Sequence, residues 1–276
     1  IPMAAVSWEW DVPAAVAEIR WARDHGFRGI VLPNFDPQRP LYHPDFEPIW
    51  NVLDELGMVV NSHSGLSSTS TRPISTPAVP HPACSIRLYV PEMMFYVHSI
   101  LDHLIWGGVL ERHPGLKVVL TEQGSGWVVG ALQEMDYAYE GSYFRTDYRH
   151  VIAHKPSEYF RRQVFLGSSI FSKAEVEARH KIGLDKMMLG MDFPHHEGTL
   201  LETTQEYLRA TVGSAGVPLD EARMLLGGNA AAVFGIDLAA LAPIAQQVGI
   251  APRDILTPPE VDRFPRGDVH KPVLVG

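Results

Sequence analysis

Three residues stand where an apolar run stops abruptly: His63, Glu122 and Asp192. Asp192 lies in K-M-M-L-G-M-D-F-P-H-H-E-G (186–198), where the run 186–190 has the length and flanks of a buried strand and Pro194 forbids it to continue. His195 and His196 follow at once, and Gly198 lets the chain turn away. His63 follows the run 58–61, and Glu122 follows the run 117–121. Histidine is the commonest side-chain ligand for a divalent metal, and a carboxylate beside it is the usual partner. Taken singly, each residue has a plainer reading. His63 suits a core histidine bonded to a backbone carbonyl, and Glu122 and Asp192 suit carboxylates at helix N-termini. They meet at one point only if their strands are parallel and open onto the same mouth.

The elements that must position them alternate along the chain. Residues 3–8 read as a strand, and Asp11 and Pro13 then start a helix that ends near Gly26. A strand at 27–32 stops at Pro33, and Asp45 is placed to cap a helix whose apolar residues Phe46, Ile49, Trp50, Leu53 and Leu56 share one face. The third strand, 58–61, runs into His63, and a Ser/Thr/Pro-rich loop at 65–91 follows; loops of that length in compact domains are functional or disordered. Further along come a helix at 92–112, a strand at 117–121, a helix at 127–148, a strand at 163–167, a helix at 174–181 and the strand 186–190. Helices at 201–212, 220–226 and 229–234 lead to one more helical stretch after Gly235 and a Pro-rich arm from Pro252. Short, continuously apolar strands alternating with helices are the pattern of βαβ units around a buried parallel sheet. No G-x-G-x-x-G follows a strand, so a dinucleotide fold has no support. A (β/α)8 barrel of the TIM type fits better, short of its first two strands, since only six are counted.

Composition narrows the partners. The 276 residues carry a net charge of −9 and no Lys/Arg-rich run, which argues against nucleic acid. No apolar stretch approaches the roughly 20 residues that a membrane helix needs. The single cysteine, Cys84, excludes an internal disulfide framework and fits a reducing, cytoplasmic setting. The opening Ile1-Pro2-Met3 reads as the middle of a protein, so the missing strands are expected upstream.

Six segments then carry a resemblance: G-F-R-G-I-V-L-P (26–33), P-D-F-E-P-I-W (44–50), V-V-N-S-H-S-G (59–65), G-V-L-E-R-H-P-G-L-K-V-V-L-T-E-Q-G (108–124), G-M-D-F-P-H-H-E-G (190–198) and G-N-A-A-A-V-F-G-I (228–236). Together they resemble the amidohydrolase-related (amidohydrolase 2) family, which includes metal-dependent hydrolases and decarboxylases of aromatic acids. The resemblance implies a distorted TIM-barrel domain over 1–236, a C-terminal helix and extended arm over 237–276, and one divalent metal, Zn²⁺ ahead of Mn²⁺. It places the family's histidine ligand of the fifth barrel strand at His63 and its aspartate of the eighth at Asp192. The first-strand D-x-H or H-x-H ligands are absent from this sequence, and Glu122 stands where the decarboxylases commonly have histidine.

The chemistry implied is hydrolysis of a small, cyclic carboxylic acid or its derivative, through a metal-bound water at the barrel mouth. The alternative is non-oxidative decarboxylation of an aromatic acid; a further one is an inactive barrel remnant that only binds. Asp192 would move the proton, Glu122 and His195 would orient water or substrate, and Arg72 or Arg87 would meet a substrate carboxylate. A homo-oligomer formed through the C-terminal arm is the expected assembly.

Overall fold

The computed structural model describes residues 1–33, 35–36, 38–63, 83–141, 148–168, 170–192 and 201–260, the side chains of 83–90, 92, 96, 168 and 201–203 excepted. It divides into two compact units, one of Ile1–Gln123 with Ala131–Phe165 and one of Gly124–Gly130 with Leu166–Gly276.

In the first unit the strands β1 (Met3–Ala5), β2 (Gly29–Val31), β3 (Val59–His63) and β4 (Lys117–Thr121) pair in chain order, every pair parallel. Their residues Ile30, Val59, Val60, Val118, Val119 and Leu120 are buried, as strands covered on both faces must be. Gly29 is obligatory on steric grounds: a Cβ there would lie 2.2 Å from the Val59 carbonyl oxygen. Helix α1 (Val12–Asp24) starts where Asp11 Oδ1 accepts the Ala14 amide at 2.9 Å, and it turns Ile19 and Ala22 wholly inward. Helix α2 (Glu47–Leu56) follows a 3₁₀ turn, Pro44–Phe46, and ends at Gly57, whose φ of 59° is the left-handed geometry that suits a helix end. The cap of that turn is His43, whose Nδ1 accepts the Asp45 amide at 3.2 Å, so Asp45 is not the cap its sequence position suggests. The buried face of α2 packs Trp50 edge-on to Trp8, with ring centroids 5.1 Å apart.

Helix α3 (Ala83–Trp106) begins nine residues earlier than its periodicity indicates and runs through Pro91. Proline removes one helix hydrogen bond, but Pro91 is exposed and the burial of Val97, Ile100, Leu101, Leu104 and Ile105 holds the helix from its other end. Helix α4 (Val109–Arg112) leads into β4. Helix α5 (Val128–Tyr139) stops well short of residue 148, where Gly141 takes a φ of 95°. Helix α6 (Pro156–Gln163) then enters β5 (Val164–Ser168).

In the second unit Leu166–Ser168 of β5 pairs in parallel with β6 (Met187–Leu189) across α7 (Lys173–Glu177) and α8 (Arg179–Ile182). The strand is shorter than the apolar run, because Leu184–Lys186 forms a 3₁₀ turn instead. Helix α9 (Leu201–Leu208) continues as a π turn, Arg209–Gly213, and α10 (Leu219–Arg223) continues as another, Met224–Gly228, before α11 (Asn229–Phe234). Asp237 caps α12 (Leu238–Val248), none of whose residues is buried. Helix α13 (Arg253–Leu256) folds back on the first π turn, where Arg209 donates to the carbonyls of Thr257 and Pro258, each at 3.0 Å. The architecture is therefore α/β, with six strands among the described residues and each observed pairing parallel and sequential, the order a (β/α)8 barrel uses.

Candidate functional site

The first unit brings two of the sequence-selected residues together. His63 is the last residue of β3 and Glu122 the first after β4, and the β3–β4 register sets His63 opposite Thr121. His63 Nε2 lies 3.3 Å from Glu122 Oε2, with the imidazole about half exposed and the carboxylate largely covered. Beneath the pair, Ser62 and Gln123 are buried, and Gln123 Nε2 donates to Ser62 Oγ at 2.9 Å. His98 reaches across from α3, its Nε2 3.3 Å from the Gln123 carbonyl oxygen. Burial lowers the His98 pKa, against the opposing effect of that hydrogen bond. A carbonyl only accepts, so Nε2 carries the proton and donates. Gln123 Oε1 is buried with no hydrogen-bond partner among the described residues. Sequence reasoning selected His63 and Glu122 but passed over Ser62, Gln123 and the role of His98. Nothing in their local pattern marks them, because each contact joins residues 25 or more positions apart.

Asp192 lies in the second unit, three residues past the end of β6 and partly exposed. It shares one property with Glu122. Among the described residues these are the only two non-glycine positions with positive φ, 59° for Glu122 and 45° for Asp192. The left-handed region brings a Cβ too close to the following carbonyl, and such residues concentrate at active sites and ligand clamps. The entry of β6 is fixed by Asn229, whose Nδ2 donates to the carbonyls of Leu184 at 2.8 Å and Met187 at 2.7 Å. Asn229 is the asparagine of the G-N-A-A-A-V-F-G-I segment, so that segment has a physical task. Glu175 does similar work at the stretch after β4. Its Oε1 accepts from the amide and hydroxyl of Ser125, at 2.5 and 2.8 Å, while its Oε2 accepts from those of Ser172. The spacing S-K-A-E (172–175) is a capping-box signal visible in the sequence, although its second use on Ser125 is not. Arg72, His195 and His196 lie outside the described residues, as does the side chain of Arg87.

The donor chemistry of the His63–Glu122 pair fits a divalent cation. Ligand bonds of about 2.0–2.1 Å in tetrahedral geometry put neighbouring donor atoms about 3.3–3.4 Å apart, and the two atoms stand 3.3 Å apart. No group of three or more histidine, cysteine or acidic side chains able to hold a metal occurs among the described residues. No described helix is long and apolar enough to cross a membrane.

A family model described as Amidohydrolase matches residues 1–236. The fold is that of several solved structures. An amidohydrolase from Mycobacterium avium subsp. paratuberculosis aligns at 24% identity over 85% of this chain and 58% of its own length, with a TM-score of 0.68. The 5-carboxyvanillate decarboxylase of Sphingomonas paucimobilis aligns at 22% identity over 82% and 64%, with a TM-score of 0.62. A dihydroxybenzoic acid decarboxylase from Polaromonas, solved with manganese and an inhibitor, aligns at 18% identity over 85% and 68%, with a TM-score of 0.61. This chain thus spans less than two thirds of the length of the first two. No curated protein matches it in sequence.

Proposed function

The chain belongs to the amidohydrolase family, and from that premise we propose that it acts as a metal-dependent hydrolase on a small cyclic carboxylic acid or its derivative. The observation that carries this reading is the backbone of Glu122 and Asp192: the two carboxylates that follow apolar strands are also the two non-glycine residues, among the described residues, held in left-handed geometry. Strain retained at those two places is hard to explain by stability and easy to explain by chemistry.

When bound, the divalent cation supplies Lewis acidity toward a substrate carbonyl and the water that attacks it. His63 and Asp192 are its protein ligands in this reading, with Zn²⁺ preferred and Mn²⁺ the alternative that the Polaromonas structure supports. Asp192 takes the proton from water and returns it to the leaving group. Glu122 and His195 orient water or substrate, and Arg72 pairs with the substrate carboxylate. The catalytic portion is residues 1–236, and 237–276 form an appendage through which a homo-oligomer can assemble. The single cysteine supports a reducing, cytoplasmic setting, and the acidic balance supports a small-molecule substrate over nucleic acid.

Decarboxylation of an aromatic acid is the second reading, favoured by the similarity to the Sphingomonas and Polaromonas decarboxylase structures. Hydrolysis stands first because a carboxylate, Glu122, faces His63 at the end of β4. The purified protein, loaded with Zn²⁺ or Mn²⁺, should be offered lactones, cyclic amides and hydroxybenzoates while acid release and CO₂ release are recorded side by side. Metal-dependent acid release from a lactone or amide is the expected result. CO₂ release alone would exchange the first reading for the second, and turnover unaffected by chelator would exclude both.

A further inference from the structure

We infer that Glu122 is itself a ligand of the divalent metal, sharing it with His63, so that the end of β4 supplies a metal-binding side chain. This rests on the metal-dependent reading above and narrows the role of Glu122 from orienting water to holding the cation. The distance is the first reason. Nε2 of His63 and Oε2 of Glu122 stand 3.3 Å apart, close to the edge of a tetrahedron built on ligand bonds of about 2.0–2.1 Å. A nitrogen and a carboxylate oxygen are also donors that both Zn²⁺ and Mn²⁺ accept.

The second reason is that the pair is built into the sheet. The β3–β4 register fixes the two main chains. The buried Gln123–Ser62 hydrogen bond ties the residue after Glu122 to the residue before His63. His98 holds the Gln123 carbonyl from a third element. Neither donor is left to a flexible loop among the described residues.

The third reason is the backbone of Glu122. Its φ of 59° is a conformation that residues with a Cβ avoid. A geometric requirement on the carboxylate accounts for a residue with a Cβ being held there. Left-handed backbone directs the side chain differently from the extended backbone that would simply prolong β4, and the direction taken brings Oε2 beside the imidazole nitrogen.

Direct metal binding tests the inference without an activity assay. The Zn²⁺ affinity of the protein is measured by competition with a chromophoric chelator, for wild type, Glu122→Gln and Glu122→His, and the visible spectrum of each Co²⁺ form is recorded. Loss of a partner outside the ligand set weakens metal binding by roughly 10–100-fold, so loss of a ligand should exceed that range. Glu122→Gln is expected to weaken Zn²⁺ by more than 100-fold and to alter the Co²⁺ spectrum, whereas Glu122→His, which offers another ligand atom, is expected to stay within 10-fold of wild type. A loss of 100-fold or less in Glu122→Gln, with an unchanged Co²⁺ spectrum, overturns the inference while leaving the metal-dependent reading intact. If the wild type takes up no Zn²⁺, that reading itself fails and the inference falls with it. Should Glu122→Gln not fold, Glu122→Gly replaces it in the same titration, since glycine suits the backbone conformation at this position.

Discussion

Exchanging Glu122 for glycine and for alanine separates the strain at this position from the chemistry of its side chain. Both substitutions remove the carboxylate and its contact with His63, so the difference between them isolates the backbone. In an ordinary strand position alanine is the more stable of the two, because glycine loses more chain entropy on folding, by about 0.5–1 kcal/mol. At a φ of 59° the order should reverse. Holding a Cβ in the left-handed region costs about 1–2 kcal/mol, and subtracting the glycine entropy term leaves Glu122→Gly more stable than Glu122→Ala by roughly 0.5–1 kcal/mol. Urea denaturation of the metal-free protein measures this directly, and for a chain of this size the difference corresponds to roughly 2 °C in Tm. Thr121, one residue earlier and inside β4, supplies the control, since alanine should beat glycine there. Glu122→Ala equal to or more stable than Glu122→Gly would refute the claim of strain. The observation that carries the proposed function would then lose half its content. Neither variant should turn over substrate, so a stability gain without activity is the expected signature of a residue kept for function.

Three further outcomes follow from other parts of the molecule. Asp192→Asn preserves shape while removing the proton acceptor, and it should lower kcat of the metal-loaded enzyme by about 10²–10⁴-fold; activity within a few-fold of wild type would exclude Asp192 from the proton path. Asn229→Leu strands the carbonyls of Leu184 and Met187 that now accept its amide, and it should lower stability by about 2–4 kcal/mol in urea; a neutral result would mean that those carbonyls find other donors. Glu47 gives the pH dependence. Burial pushes its carboxyl pKa up, but hydrogen bonds and charge from Arg112, with His113, outweigh burial and hold it below the ordinary carboxylate range. A depressed folded pKa means that the stabilisation is fully present above the unfolded value and is lost as pH falls through the folded one. Wild type should therefore lose more stability than Glu47→Gln as pH falls through the range below about 4.5, which parallel denaturation curves would test.

Much of this protein could be read from its sequence because the deciding interactions are local. Runs such as 58–61 and 117–121 carry three consecutive apolar residues each, at 58–60 and 118–120, and turns or helix ends at Gly57 and Gly124 bracket them, so their ends near His63 and Glu122 follow from hydrophobicity and chain geometry alone. Alternation with helices then implied parallel pairing, and the pairs β1–β2, β2–β3, β3–β4 and β5–β6 are parallel. Boundaries read less well where tertiary packing overrides local preference: α3 persists through Pro91, and the run 186–190 yields a strand of only Met187–Leu189. Sequence could name His63 and Glu122 as candidates, but it could not say that Nε2 and Oε2 lie 3.3 Å apart, because that depends on two strands distant in the chain pairing in one register, with His63 opposite Thr121. The left-handed backbone at Glu122 and Asp192 was equally hidden, since neither residue type prefers it strongly enough to be read from a window of neighbours. Only the packed structure decides it. The hydrogen bonds of Gln123 to Ser62, Asn229 to the carbonyls before and within β6, and Glu175 to Ser125 form after distant segments meet, and those segments are what hold the strand ends in place.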